Sequence, residues 1–129
     1  MKVINIDDLL GIPHIKNGRD ITSGLDCFGL AIEVEKRFGH KLIDLDEFKN
    51  TDKKIQDFEK DYLKLVKLKK TEAAETPGDL ILFRDTSNIM SHIGVYLGEG
   101  IFIHSPNSFV KTDKLARYEH LIGRVYKWQ

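Results

Sequence analysis

Apolar positions in the first third of the chain recur at the period of an α-helix. Four of them share one helical face: Leu30, Ala31, Val34 and Phe38. Gly39 follows this run, and glycine is common just past the end of a helix. The pattern therefore predicts a helix that begins at Cys27, ends before Gly39 and buries one face.

Two other segments of the first half carry their own patterns. Residues 5–10 predict a short helical turn with Asn5 or Asp7 as its cap, and residues 11–20 predict an irregular loop, because glycine and proline interrupt them. A densely charged stretch follows at residues 44–72. Within it, five apolar positions recur at helical spacing: Ile55, Phe58, Tyr62, Leu65 and Val66. We expect an amphipathic helix there, with its charges in solvent and no chemical role.

After Pro77 and Gly78 the pattern changes to that of β-strands, which are short, apolar or alternating, and separated by turns. The predicted strands are residues 80–84, 91–97, 101–105 and 123–128. Helices first and antiparallel strands afterwards indicate an α+β domain. The chain of 129 residues has the length of one domain, so we expect a single domain over residues 1–129.

Charge and hydropathy narrow the possible partners. The 20 basic and 20 acidic side chains cancel, which argues against a nucleic-acid-binding protein because such proteins need a surplus of Lys and Arg. No apolar run approaches the ~18 residues of a membrane-spanning helix, so we expect no membrane partner. The N-terminal stretch carries two acids and no cleavage site of small residues, unlike a signal peptide. We therefore expect synthesis in the cytoplasm.

Cys27 is the one cysteine, so the chain cannot form an internal disulfide. Its predicted place is the N-terminal end of a helix, where unpaired backbone N–H groups and the helix dipole favour the thiolate form. A thiolate is the nucleophilic form of cysteine. A small buried hydrophobic residue is the alternative role, and position alone gives the two similar weight.

A nucleophilic thiolate needs a base within hydrogen-bond reach, and the base needs an orienting partner. The chain has five histidines: His14, His40, His92, His104 and His120. Of these, His92 and His104 lie on the two arms of the hairpin predicted around residues 98–100. They are therefore the first candidates for such a pair.

The loop of this hairpin decides whether the two histidines meet. A three-residue loop would make Leu97 face Ile101 and Gly94 face His104, so that His92 becomes the diagonal neighbour of His104 on the same face. A two-residue loop would put the histidines on opposite faces. Two histidines and a cysteine could also bind zinc, but the spacing matches no zinc motif and a strong fourth ligand is missing from the sequence. We predict no metal and no cofactor.

Four short motifs, in order, carry a family resemblance. They are Leu25–Leu30 (LDCFGL), Pro77–Phe83 (PGDLILF), Ser91–Gly98 (SHIGVYLG) and Ile101–Ser105 (IFIHS). Together they resemble the NlpC-like family of cell-wall cysteine peptidases, compact relatives of the papain fold, from about Leu10 to Trp128. The resemblance implies a papain-like α+β domain with N-terminal helices packed on an antiparallel sheet and the nucleophile at a helix N-terminus.

The resemblance also implies roles for particular residues. Cys27 would be the nucleophile, His92 the general base, and His104 the residue that holds the His92 ring. Asp26 would support the site structurally, and the Cys27 backbone N–H would stabilise the oxyanion. The implied substrate is a peptidoglycan stem peptide, cleaved at an amide bond between D-glutamate (through its γ-carboxyl) and a diamino acid.

One position departs from the family pattern. The family carries a Tyr after Gly-x-Pro, whereas here Gly11–Pro13 is followed by His14. His14 could replace that Tyr as oxyanion or substrate support, or it could be an ordinary loop histidine. Residues 17–20 resemble versions of the domain found in phage and prophage tails, which would make tail proteins its partners and the virion its location.

Two alternatives remain open at the level of sequence. The domain could be a non-catalytic tail or wall-binding module of the same fold, which the change to His14 favours. It could also be a related amidase or acyltransferase, because a fold alone does not identify a substrate.

Overall fold

The computed structural model describes residues 4–44, 66–88 and 90–129. In chain order, its helix and strands are β1 (Arg19–Asp20), β2 (Gly24–Leu25), α1 (Cys27–Arg37), β3 (Leu68–Thr71), β4 (Leu80–Arg84), β5 (Met90–Gly98), β6 (Ile101–His104), β7 (Lys111–Lys114) and β8 (Ile122–Trp128). A 3-10 segment, Leu115–Leu121, joins β7 to β8. The helix predicted over residues 55–66 lies outside the described residues except for Val66.

The six strands β3 to β8 form one antiparallel sheet with the order β3-β8-β4-β5-β6-β7. Strands β1 and β2 form a separate small hairpin just before α1. Helix α1 packs on β5 and β6. The predicted α+β class, with helical structure packed on an antiparallel sheet, is confirmed. Within the described residues, no helix is long and apolar enough to cross a membrane.

The central strands are apolar because both of their faces are covered. On one face, Leu80, Leu82 and Ile93 pack with the buried side of α1. On the other face, Ile81 and Phe83 pack with side chains of the 3-10 segment. This two-sided burial explains why β4 has a continuous apolar run rather than an alternating one.

Helix α1 begins and ends as its sequence predicts. Asp26 is the N-cap, and its carboxylate accepts a hydrogen bond from the Gly29 N–H at 2.7 Å. Phe38 is the C-cap and Gly39 follows with a φ of 88°, a conformation that glycine adopts at little cost. The helix therefore holds Cys27 at its first position and buries the predicted apolar face.

The far end of α1 is fixed to the end of the sheet by a buried acid. Glu35 is fully buried, and its carboxylate accepts a hydrogen bond from the Trp128 indole N–H at 3.1 Å. His40 Nδ1 lies 3.1 Å from the same carboxylate, and the His40 ring stacks on Trp128. Burial raises the pKa of Glu35. These contacts hold the last turns of the helix against the end of β8.

Three parts of the sheet architecture differ from the sequence prediction. The loop predicted over residues 11–20 ends in β1, and both edge strands, β3 and β7, were not predicted. The edge strands have the sequences LKKT and KTDK, because an exposed edge carries charge where a central strand carries apolar side chains.

At the N-terminus, where a short helical turn is predicted over residues 5–10, the structure has a turn at residues 7–11. The Asn5 side chain accepts a hydrogen bond from the Asp7 N–H.

Replacing Gly29 by alanine tests how α1 is seated. An alanine inside a helix normally stabilises it by about 1 kcal/mol relative to glycine. Here a Cβ on Gly29 would collide with the Gly18 carbonyl oxygen, which belongs to the backbone and cannot easily move. We expect Gly29→Ala to lower the free energy of unfolding by about 1–3 kcal/mol in chemical denaturation.

The control for this measurement is Lys36→Ala, at an exposed position of the same helix. It should change stability by less than about 0.5 kcal/mol. A Gly29→Ala protein as stable as the wild type would contradict the close approach of α1 to the loop at Gly18.

Candidate active site

Cys27 lies at the start of α1, within the core that joins the helix to the sheet. Cys27 is only 8% exposed and belongs to the same buried cluster as Ile93 and Ile103. These two residues are next to His92 and His104 in sequence. Cys27, His92 and His104 therefore belong to three elements that pack together, α1, β5 and β6.

Asp26 stabilises the N-terminal end of α1. Besides capping α1, its carboxylate pairs with the Arg19 guanidinium at 2.7 Å and is almost completely buried. Arg19 also lies over the Phe28 ring, with 5.5 Å between the guanidinium carbon and the ring centre. The geometry thus gives Asp26 the role of an N-cap that orders the residues around Cys27.

The hairpin of β5 and β6 brings His92 and His104 to one face. Gly94 pairs with His104, which makes His92 the diagonal neighbour of His104. Near the turn, Gly98 rather than Leu97 pairs with Ile101, so the predicted pairing of Leu97 is wrong at that point. A register shift between Tyr96 and Gly98 accommodates Leu97, and the extra residue preserves the predicted pairing further along the strands.

The two histidine rings are in direct contact. His92 Nε2 lies 2.8 Å from His104 Nδ1, a hydrogen-bond distance. His104 is 1% exposed, and its ring lies 4.5 Å from the Phe102 ring centre. A Cβ on Gly94 would lie 2.9 Å from the Phe102 ring, so glycine at this position lets the aromatic ring pack beside His104.

Two residues that the sequence did not reveal complete the surroundings of His104. Its Nε2 lies 2.7 Å from the Asp113 carboxylate on β7, and the Tyr118 hydroxyl donates to the same carboxylate at 3.2 Å. Asp113 pairs across the strands with Phe102, so it is again a diagonal neighbour of His104. Because β7 was not predicted as a strand, its pairing with β6 could not indicate this contact.

The buried environment favours neutral rings. Burial, with repulsion from His104 and His14, lowers the pKa of His92 to about 3. Burial also lowers the pKa of His104, and the nearby carboxylate of Asp113 offsets only part of that effect. Partial burial works to raise the pKa of Asp113, but hydrogen bonding from His104 and the charge of Lys111 outweigh it, and the net pKa is lowered.

His14 lies beside the end of β6. Its Nδ1 is 3.1 Å from the Ser105 carbonyl oxygen and 3.2 Å from the Ser105 hydroxyl, and its backbone N–H donates to the Ser108 carbonyl. Ser105 is fully buried, and its hydroxyl donates to the Leu25 carbonyl, two residues before Cys27. Ser105 therefore ties together the loop of His14, the strand of His104 and the segment leading to Cys27.

In the part of the chain that the structure describes, no three His, Cys, Asp or Glu side chains are grouped as metal ligands. The described site instead consists of a thiol at the start of α1 and a hydrogen-bonded pair of histidines on β5 and β6, residue types that suit nucleophilic acyl transfer.

A comparison with family models identifies the family of the chain. The NlpC/P60 family model matches residues 16–120. The chain belongs to the NlpC/P60 family. A comparison with curated protein sequences finds no match.

Solved structures show the same fold at low sequence identity. The NlpC/p60 domain of the peptidoglycan hydrolase SagA has a TM-score of 0.58 and 20% identity, over 92% of this chain and 89% of that one. NlpC1 from Trichomonas vaginalis has a TM-score of 0.65 and 23% identity, over 95% of this chain and 42% of that one. An NlpC/P60 family protein from Bacillus cereus has a TM-score of 0.63 and 21% identity, over 98% and 41% of the two chains.

The chain thus spans nearly the whole SagA domain but only about two fifths of the other two structures. At these identities the likeness establishes the fold, and the roles of individual residues rest on the geometry of this chain.

The lowered pKa of His92 predicts a particular loss of stability in acid. An unfolded histidine has a pKa of about 6.5, so between that value and the folded value of about 3 the unfolded state binds more protons. Stability should therefore fall as the pH drops below about 6.5. At 1.36 kcal/mol per pH unit, His92 would account for about 2 kcal/mol between pH 6.5 and 5.

Chemical denaturation of the wild type and of His92→Gln at several pH values checks this prediction. The variant should show a shallower loss of stability with acid. His120→Gln, which changes an exposed histidine, should keep the wild-type slope. Equal slopes for all three proteins would show that His92 is not held neutral by the fold.

Proposed function

We propose that the protein is a cysteine hydrolase that cleaves an amide bond in peptidoglycan stem peptides. In this proposal Cys27 is the nucleophile, His92 is the general base and acid, and His104 orients His92. The observation that carries the proposal is the partly buried 2.8 Å contact between His92 Nε2 and His104 Nδ1, on strands that pack against the helix beginning with Cys27. That contact leaves Nδ1 as the ring nitrogen of His92 for exchange of a proton with the thiol.

The reaction would proceed in two stages. First, His92 Nδ1 takes the thiol proton, the sulfur bonds to the substrate carbonyl carbon, and a tetrahedral oxyanion forms. His92 then gives its proton to the leaving nitrogen, the C–N bond breaks and a thioester remains. In the second stage, His92 removes a proton from water, the resulting hydroxide attacks the thioester, and the acid and the free thiol are released.

The helix start supplies the electrostatic part of this mechanism. Cys27 is the first residue of α1, at the positive end of the helix dipole, and its backbone N–H is the proposed oxyanion donor. The Asp26 cap supports this role, since it fixes the first turn by accepting the Gly29 N–H. His14, held by Ser105 near the end of β6, is the proposed substrate support in place of the tyrosine of the family pattern.

The finer substrate assignment follows from the family resemblance. We propose the bond between the γ-carboxyl of D-glutamate and a diamino acid as the cleaved amide. An association with phage or prophage tail proteins, suggested by residues 17–20, stays a prediction, as does the cytoplasmic origin of the chain.

Digestion of purified peptidoglycan fragments with mass analysis of the products tests the proposal. The wild type should release products that each retain one side of a single stem-peptide amide. Cys27→Ala should lower the rate by at least about 10³-fold while leaving the circular dichroism spectrum unchanged, because the nucleophile is lost without a change of fold. Cleavage by Cys27→Ala at the wild-type rate would refute the assignment.

The same samples distinguish the alternatives. A non-catalytic wall-binding module would bind the fragments without products. An amidase would cut at the bond between sugar and peptide, and an acyltransferase would join the acyl group to an added amine.

Reaction of Cys27 with iodoacetamide at pH 6–7 adds a test without substrate. An activated thiol should react faster than a free cysteine, and an inert buried one should resist.

A further inference from the structure

We propose that Asp113 is a positioning residue that sets the proton arrangement of both histidines, so that the site is a chain of four groups from Cys27 to the sheet edge. This inference rests on the proposed function. It assigns a role to a residue on β7 that lies two residues away, across the strands, from the position facing His104.

The geometry places three of these groups, His92, His104 and Asp113, in an unbroken series. His92 Nε2 lies 2.8 Å from His104 Nδ1, and His104 Nε2 lies 2.7 Å from Asp113 Oδ2. Each step is a diagonal contact on one sheet face, first from β5 to β6 and then from β6 to β7. Both ring nitrogens of His104 are therefore engaged, one by each neighbour.

The direction of the hydrogen bonds follows from the outermost group. An ionised carboxylate can only accept, so the proton of that contact belongs to His104 Nε2. A neutral His104 then has a bare Nδ1, which accepts from His92. His92 must carry its proton on Nε2, and its Nδ1 is left bare as an acceptor for the thiol proton.

Without a carboxylate at position 113, the hydrogen bonds between the two histidines could run in the opposite direction. His104 could carry its proton on Nδ1 and donate to His92 Nε2. A neutral His92 would then carry its proton on Nδ1, toward the nucleophile, and could not act as a base. Asp113 excludes this arrangement because it offers no proton to His104.

The surroundings hold Asp113 in its ionised form. Its side chain is 15% exposed, the Tyr118 hydroxyl donates to it at 3.2 Å, and Lys111 Nζ lies 3.6 Å away. The Phe102 and Tyr118 rings both pack against the His104 ring. Beyond the chain of four groups, His14 is the further titratable group that acts on His92. The charge of Asp113 would also stabilise the His92 imidazolium that forms when the thiol loses its proton.

The first test reads the proton positions directly. Nitrogen NMR of histidine-labelled protein distinguishes a protonated ring nitrogen from a bare one. We expect the proton on Nε2 for both His92 and His104 in the wild type at pH 7. In Asp113→Asn a substantial fraction should carry it on Nδ1. A proton on Nδ1 of His104 in the wild type would overturn the proposal, whatever the activity of the protein.

The second test is kinetic and uses the near-isosteric Asp113→Asn. With purified peptidoglycan fragments, kcat should fall about 10- to 100-fold with little change in KM, since a fraction of general-base catalysis is lost. The rate of Cys27 alkylation at pH 7 should fall in parallel. Tyr118→Phe, which removes one donor to Asp113 and leaves the carboxylate, should have a smaller effect in the same direction.

Asp8→Asn is the matched control. It removes the charge of an exposed aspartate that pairs with Arg37 away from the site, and it should keep wild-type kcat and alkylation. If the wild type hydrolyses the fragments and Asp113→Asn matches it in kcat and alkylation, the role of Asp113 is wrong and the proposed function stands. If the wild type hydrolyses nothing but its nitrogens carry the expected protons and Asp113→Asn shifts them, the proposed function fails and the positioning role is supported.

Discussion

The hydrogen bond between His92 and His104 is the constraint around which the site is arranged. It exists because β5 and β6 pair in one register, with Gly94 opposite His104, and a slip by one residue would send the two rings to opposite faces. The tight turn at Gly98–Gly100 and the extra residue at Leu97 fix that register. Gly94 then leaves room for Phe102 to pack against His104. Local backbone geometry at the turn thus determines the placement of two side chains several residues away.

The position of Cys27, the proposed nucleophile, depends on a second set of contacts at the two ends of α1. Asp26 caps the first turn and is held by Arg19, while Glu35 ties the last turns to Trp128 at the end of β8. Because Gly29 lies against the backbone of Gly18, the helix can approach the preceding loop closely. These contacts are buried or partly buried, which suits the proposed site, because its reacting groups would have to be held in place before substrate arrives.

Much of this organisation could be predicted from the sequence, and the exceptions have a common cause. Helix α1 and the central strands carry clear periodic patterns because one or both of their faces are buried. The diagonal relation of His92 and His104 was predicted from a three-residue loop, whereas the structure reaches the same pairing through a shorter turn and an extra residue at Leu97. The edge strand β7 has the sequence KTDK, in which no apolar pattern survives because the strand lies at the edge of the sheet. The sequence alone therefore does not distinguish Asp113 from the other charged residues of the chain. The series predicted from the sequence ends at His104, whereas the structure supplies a carboxylate one step further out, where it is only partly buried.

Trapping of the covalent intermediate would show directly whether Cys27 is the nucleophile. Wild-type protein would be mixed with purified peptidoglycan fragments, quenched in acid within the first turnovers, and digested for mass analysis. If Cys27 is the nucleophile, the peptide containing Cys27 should gain the mass of the acyl half of the substrate, and hydroxylamine should remove that mass as expected for a thioester. Products that accumulate while the Cys27 peptide stays unmodified, even when deacylation is slowed by low temperature, would contradict the account.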